Sequence, residues 1–444
     1  MHLLIIGNGI TGVTAALTVR RLDPAARITL ISSESAHHYS RPALMYLYLG
    51  HLRHQDIKPH ADWFWAENRL ELLHAEATAL DTAAKTVRLA TGQTLTYDRL
   101  LLATGSLTRY AGWPGQELRG VQGLQGLPDL EKMEQATPGI RHAVVVGGGL
   151  IGVELAEMLH ARGIHVTFLV RESRYWASVL PPEESALVEA QIRRLDIDLR
   201  MNTGLVEVLG DADGQARAVL TTAGEELPAQ WVGIATGVVP NLALAQAGGL
   251  ETDQGILVNR LLTTSAPDVY AAGDCAQHRA PEAGEVPVEQ LWYTGRMQGE
   301  TVAHTICGQP TPYRRGAWFN SAKFFNLEYQ TYGRVPAALP DAEKSFCWQH
   351  PGGQLLRINF RPAGGNGVTG MNTLGIRQRQ EVWEGWLRDK TPVQTVISQL
   401  AAANFDPEFF RRHEPAIRRE FGRQFPDLPL TPAPRRGLLA ALRG

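Results

Sequence analysis

The feature that most constrains this chain is a glycine pattern that occurs twice. The first copy opens the sequence. "LLIIGNGITGVTAALTVRRLDPAARITLISSE" runs an apolar strand into Gly7-x-Gly9-x-x-Gly12, then an Ala- and Leu-rich helix, then a second strand at Ile28–Ser32. Each glycine has a physical task in such a unit. Gly7 permits the tight turn, Gly9 lets the backbone approach a pyrophosphate, and Gly12 lets the helix pack closely on the strand. The helix N-terminus turns N–H groups and a positive dipole end toward an anion, so Ile10 and Thr11 join the glycines as candidate contacts. Glu34 lies where an acidic side chain accepts from ribose hydroxyls. The second copy, "RHAVVVGGGLIGVELAEMLHARGIHVTFLVRES", carries Gly147, Gly149 and Gly152 with Leu150 and Ile151 in the helix start and a strand at Val166–Val170. Two intact units predict two dinucleotides held by two Rossmann-like domains.

The bulk numbers fit that architecture. A chain of 444 residues calls for two or three domains. With 44% hydrophobic and 20% charged residues it has the composition of a soluble globular protein. A net charge of −2 argues against a nucleic-acid partner, which would want a basic face. Strand-like sequence begins at His2, leaving no room for a signal peptide. The longest apolar run, Ala143–Ala161, is interrupted by Glu154 and Glu157 and makes a poor membrane span. A cytoplasmic protein without stable membrane insertion is expected. The three cysteines, Cys275, Cys307 and Cys347, form no C-x-x-C or C-x4-C pair and each reads as a small buried hydrophobe or a reduced bystander rather than half of a disulfide. His51, His54 and His60 have no cysteine or acid cluster beside them, so no metal site is expected.

Further motifs carry a family resemblance. "YDRLLLATGS" (Tyr97–Ser106) and "GIATGVVPN" (Gly233–Asn241) form paired A-T-G segments, and "TTSAPDVYAAGDCA" (Thr263–Ala276) comes after them. Together with the two glycine units, these resemble the two-dinucleotide flavoprotein reductases of the pyridine nucleotide–disulfide oxidoreductase superfamily. The resemblance implies an α/β fold: two three-layer dinucleotide-binding domains, one for FAD and one for NAD(P)H, plus an α+β C-terminal domain. It implies a discontinuous FAD domain (1–109 and 242–316), an inserted NAD(P)H domain (110–241) and a C-terminal domain (317–444) for dimer contacts or acceptor docking, ending in a helical extension. Ala77, Thr104, Gly105 and Asp274 would then join the FAD site, Asp274 through a ribityl hydroxyl, and Gly237 the NAD(P)H site. The stretch from about Gln55 to Leu95 alternates hydrophobic and polar residues and reads as an antiparallel β excursion.

The end of the second unit's strand bears on the choice of nicotinamide. Val170 fills the position where an acid would take a 2′-hydroxyl, and Arg171, Glu172 and Arg174 come next. Arg171 and Arg174 are suited to clamp a 2′-phosphate, Glu172 to serve a ribose, and arginines at such a turn are often simply solvated. The balance favours NADPH. Glu154 resembles a family glutamate that approaches nicotinamide and flavin, and a carboxylate among apolar neighbours needs a partner or a dipole.

"SESAHHYSRPALMYLYLG" (Ser33–Gly50) bears on where electrons go once the flavin is reduced. It resembles the ferredoxin- and rubredoxin-reductase branch, with the nitrite reductase flavin domain similar, in the pattern acid-x4-Tyr-x-Arg-Pro-x-Leu. There Arg41 would contact FAD phosphates or ribose. The disulfide reductases carry cysteines in this part of the chain; this sequence has none, which speaks against thiol–disulfide chemistry. Two departures are visible. Met45 and Tyr46 stand where that branch has a lysine, and Asn320, Ser321, Ala322 and Lys323 replace its Trp-Ser-Asp-Gln segment. Tyr46 and Lys323 are therefore candidate residues at a rebuilt acceptor edge. Glu289 and Trp292, near a helix N-terminus, are candidates on the flavin's pyrimidine side, with core packing as the alternative for Trp292.

From about Ala317 the strands "QLLRINFRP" and "GVTGMNTLG" precede a helical stretch, Gln378–Leu387, with added helices beyond Thr391 and a short basic and apolar terminus, "PRRGLLAALRG". The expected activity is an FAD-dependent NAD(P)H oxidoreductase that passes electrons to a rubredoxin- or ferredoxin-type carrier or a nitrite-reductase-type partner, working as a homodimer. A small-molecule acceptor is the alternative, making it an NAD(P)H oxidase or quinone reductase. A redox sensor like apoptosis-inducing factor is the reading from another class.

Overall fold

The computed structural model describes residues 1–282, 284–405 and 411–430. The chain forms two compact units, Met1–Arg171 with Asn202–Arg315, and Glu172–Met201 with Gly316–Gly444.

The first unit contains both glycine motifs. Strand β1 (His2–Ile6) leads into helix α1 (Ile10–Leu22), which returns through strand β2 (Arg27–Ser32). Strand β3 (Leu70–His74) pairs in parallel with β2, and Arg99–Leu102 and Val269–Ala271 extend the parallel sheet on the other side of β1. Leu3, Leu4 and Ile5 are fully buried. A central strand covered on both faces reads as an unbroken apolar run for this reason. Small residues let α1 meet the helix Trp292–Ile306 at close range: a Cβ on Gly299 would stand 2.5 Å from the Thr11 carbonyl oxygen.

The second motif builds a similar sheet. Strands His165–Leu169, His142–Val146, Trp231–Ile234 and Val121–Gln122 lie side by side in parallel, and the helix Leu150–Ala161 succeeds the glycine loop. The two A-T-G segments meet. Ser106–Thr108 pairs antiparallel with Val238–Pro240, and Thr104 Oγ1 donates to the Asn241 carbonyl at 2.8 Å.

One expectation needs correction. Only Ala77–Asp81, Thr86–Leu89 and Thr94–Thr96 form the antiparallel excursion. Residues Asp62–Glu67 are helical and β3 belongs to the parallel sheet. An edge strand of a parallel sheet is covered less completely than a central one and so can alternate as an antiparallel strand does. "LELLH" is such a strand.

The second unit is an antiparallel sheet in the order Phe319–Phe324, Leu327–Gly333, Gly367–Leu374, Leu355–Arg361, Lys344–Gln349. Helices Gln380–Arg388, Val393–Gln399 and Glu414–Gln424 pack on it around Phe346, Phe360, Met371, Trp383, Ile397 and Phe421. The helical stretch expected at Gln378–Leu387 and the added helices are thus present, while the terminus "PRRGLLAALRG" lies outside the described residues. The helix Pro182–Arg194 belongs to this unit too. Its Glu184, without exposed surface, accepts two hydrogen bonds from Arg357 at 2.7 and 2.9 Å, and Glu183 takes a third at 2.6 Å. Among the described residues, no helix is long and apolar enough to cross a membrane.

Candidate functional site

The two glycine loops repeat one geometry. Gly7 has φ +113, and a Cβ there would fall 2.1 Å from the Ala103 carbonyl oxygen. A Cβ on Gly12 would fall 2.0 Å from Gly7 O. In the second loop, Gly147 has φ +115 and a Cβ would meet Ala235 O at 2.3 Å, while one on Gly152 would meet Gly147 O at 2.2 Å. The middle glycines differ from these. A Cβ on Gly9 or Gly149 would find nothing within 4 Å, and neither residue caps its helix through a side chain. The outer glycines are therefore required by the fold. The middle ones border open space at a helix N-terminus, which suits a bound anion.

A hydrogen-bonded chain extends from the first loop. Glu34 Oε2 accepts from Arg41 Nη2 at 2.8 Å, and Oε1 accepts from the Tyr39 hydroxyl and from Leu127 N–H. Arg41 Nη1 donates to the Gln125 carbonyl. Gln125 Nε2 donates to Ser106 Oγ at 2.8 Å, and Ser106 donates to Asp274 Oδ2 at 2.9 Å. Burial holds the Asp274 carboxyl above the usual carboxylate range, with the Ser106 hydrogen bond and the Arg41 charge opposing it. Glu34 and Arg41 are thus joined through Gln125 and Ser106 to the distant Asp274. Residue type alone did not mark those two, because their role comes from contacts between distant segments. This set of acceptors and one arginine fits the ribose and ribityl hydroxyls and the diphosphate of FAD.

The remaining candidates are spread over both units. Gly105 has φ +70 and its carbonyl accepts from Asn241 N–H at 2.9 Å; Gly237 has φ +103 and its carbonyl accepts from Arg109 N–H at 3.0 Å. Ile10 and Thr11 begin α1, and Leu150 and Ile151 begin the second helix. Ala77 sits on the antiparallel excursion, paired with Leu89. Trp292 begins its helix exposed, with the Arg296 guanidinium 5.9 Å from its ring centroid. Glu289, 1% exposed, is held by Tyr313 OH at 2.7 Å, Arg315 at 3.0 Å and Gln298 at 3.3 Å. Gln298 in turn accepts from Gly273 N–H at 2.7 Å, beside Asp274. Glu154 is half-buried on the helix Leu150–Ala161. Tyr46 is half-buried on the helix Leu44–Tyr48, its ring 6.2 Å from that of His51. Lys323 lies on Phe319–Phe324 in the second unit, opposite Glu328. Val170 is buried and Arg171 exposed; Arg174 donates to the Leu180 carbonyl at 3.2 Å and to Ser185 Oγ at 3.3 Å. All three cysteines are free thiols, and Cys275 donates weakly to the carbonyls of Leu102 and Ala272.

The model of the pyridine nucleotide-disulphide oxidoreductase family matches residues 1–299. The chain belongs to that family. Among similar members is the ferredoxin reductase subunit of the 5,5'-dehydrodivanillate O-demethylase of Sphingobium sp., 32% identical over 340 residues, 75% of this chain and 82% of the relative. A rubredoxin-NAD(+) reductase of Pseudomonas putida is 30% identical over 70% of this chain and 81% of its own. The crystal structure of the ferredoxin reductase for the CYP199A2 system of Rhodopseudomonas palustris superposes with a TM-score of 0.76 at 26% identity. That match covers 84% of this chain and 91% of the other. As a member of this family the chain is an FAD-dependent oxidoreductase that uses a pyridine nucleotide. The network from Glu34 to Asp274 contains no sulfur, although the family takes its name from a disulphide.

Proposed function

We propose that this protein carries electrons from NAD(P)H through FAD to a small iron–sulfur or rubredoxin-type carrier protein. Bound FAD supplies the chemistry, accepting a hydride and releasing electrons singly. The chain's own residues bind and orient. The first loop and α1 receive the diphosphate, Glu34 and Asp274 receive hydroxyls, and Arg41 balances charge. The second loop receives the nicotinamide dinucleotide, with Glu154 as the orienting carboxylate. The observation that carries the reading is the Glu34–Arg41–Gln125–Ser106–Asp274 network with no cysteine in it. Without a thiol relay beside the flavin, electrons leave to an external acceptor, and the relatives named above are named for ferredoxin or rubredoxin. Tyr46, in the first unit, and Lys323, in the second, are each proposed as acceptor-side residues.

For the nicotinamide we read NADPH. Val170 removes the acid, and with Arg174 engaged by Leu180 and Ser185, Arg171 is the exposed cation left for a 2′-phosphate. NADH is the second reading, favoured by the NAD(+) in the name of the Pseudomonas relative. The proposal includes the division into 1–109 with 242–316, 110–241 and 317–444, a homodimer, and a cytoplasmic location. Light scattering tests the dimer and cell fractionation the location.

The deciding experiment is anaerobic stopped-flow reduction with each nicotinamide, then mixing with oxidised ferredoxin or rubredoxin. Rapid reoxidation by a carrier and slow reoxidation by oxygen or a soluble quinone supports the proposal. Fast sustained turnover in air without a carrier replaces it with the oxidase reading.

A further inference from the structure

The first glycine loop is clamped through its middle residue, where the second loop has a glycine. Asn8, between Gly7 and Gly9, is only 8% exposed. Its side-chain amide donates to the Ser35 carbonyl at 2.9 Å. Its own carbonyl lies 2.8 Å from Nδ1 of His38, which is 6% exposed. A carbonyl oxygen can only accept, so Nδ1 carries the proton and the neutral ring is the Nδ1–H tautomer. Burial keeps the ring neutral by lowering its pKa to about 4; the hydrogen bond to the Asn8 carbonyl opposes this, and His60 and Arg41 add to it.

The consequence lies on the other side of the peptide bond. The Asn8 carbonyl and the Gly9 N–H belong to one planar trans unit and point in opposite directions. A donor that fixes the carbonyl therefore aims the Gly9 N–H the opposite way, and by polarising the amide it makes that N–H a stronger donor. Gly9 is the residue whose Cβ would meet nothing within 4 Å. In the second loop the equivalent residue is Gly148. It has no side chain to be clamped, and a Cβ there would fall 2.9 Å from Val170.

We propose that His38 is a positioning residue for the FAD diphosphate, acting through the Asn8–Gly9 peptide. It holds the phosphate-binding amide in its working orientation without touching the cofactor. The proposal rests on the reading that the first loop takes FAD.

The test is FAD binding to the apo-protein, monitored by quenching of flavin fluorescence, for the native chain and for His38→Asn, His38→Gln and His38→Leu. The amide nitrogen of Asn takes the place of Nδ1, whereas that of Gln takes the place of Nε2. The expected result is an FAD dissociation constant raised roughly fivefold to tenfold in the Leu and Gln variants, the worth of one neutral hydrogen bond. The Asn variant should recover most of the loss, and NAD(P)H affinity should be unchanged throughout. A role in packing alone does not predict rescue by Asn and not by Gln. If Leu prevents folding, the Asn–Gln comparison still decides. Native affinity in the Leu and Gln variants, or equal loss in Asn and Gln, overturns the proposal. Failure of the native apo-protein to bind FAD overturns the underlying reading instead.

Discussion

Gly9 and Gly12 look alike in the sequence motif, yet alanine at each should do opposite things to the apo-protein. A Cβ at Gly12 would stand 2.0 Å from the Gly7 carbonyl oxygen and 3.1 Å from Ile5 Cγ2, and a backbone atom cannot swing aside. The helix must shift on its strand, so overpacking should cost about 1–3 kcal/mol. Gly9 has φ −68 and ψ −177, a conformation alanine adopts without strain, and its Cβ would enter open space. Gly9→Ala should therefore leave the apo-protein as stable as before, or stabilise it by about 0.4–1 kcal/mol through the unfolded chain. The open space is, however, where the proposed FAD diphosphate site lies. Displacing one charge-assisted hydrogen bond costs about 1.5–3 kcal/mol, which is roughly a ten- to hundredfold weaker FAD complex. Circular dichroism melts of both apo variants, with FAD titrations of each, separate the effects. The reasoning fails if Gly9→Ala melts as early as Gly12→Ala, or if it binds FAD as the native chain does.

Four further outcomes are expected. Asp274 has a raised folded pKa, so its contribution to stability is present below the unfolded value and lost as pH rises through the folded value; apo Asp274→Asn should melt above the native chain at pH 8, with the gap closing toward pH 4. A gap independent of pH would remove the carboxyl's burial as the cause. Arg171→Ala should weaken NADPH much more than NADH in equilibrium titrations, and equal effects would take Arg171 out of specificity. Arg357→Met strands the buried Glu184 carboxylate and should cost about 3–5 kcal/mol in the second unit, read by chemical denaturation; a loss under 1 kcal/mol would mean that the pair is solvated. Cys275→Ala should reduce a carrier protein at a rate within about twofold of native, since a small buried hydrophobe serves packing, and abolished carrier reduction would return a thiol to the mechanism.

The two dinucleotide units were legible because each glycine answers a local steric demand: Gly7 and Gly147 need positive φ, and Gly12 and Gly152 need to have no side chain. Local demands leave a local trace. The orientation of β3 left none, because the alternation in "LELLH" serves a partly covered parallel edge as well as an antiparallel strand. The network through Gln125 was hidden for another reason. Its links join positions 7, 84, 19 and 168 residues apart, and no residue in it is unusual for a surface loop. His38 was hidden among neighbouring histidines, and only its burial against the Asn8 carbonyl separates it from them.

The two loops share one glycine skeleton, so their differences bear on how each is used. Around the first, Asn8 is held at side chain and carbonyl, and Glu34 is tied through four hydrogen bonds to Asp274. Beside the second, Gly148 has no side chain, and a Cβ there would fall 2.9 Å from the buried Val170. A loop held in its binding orientation before the ligand arrives has a smaller ordering cost on binding, which lowers the dissociation constant. A cofactor that must stay through many turnovers gains from that arrangement. A substrate that must leave after each hydride transfer does not, because tighter ground-state binding slows its release without aiding the chemical step. The clamp on the first loop, at a position where the second has glycine, thus fits the proposed resident flavin and exchanging nicotinamide.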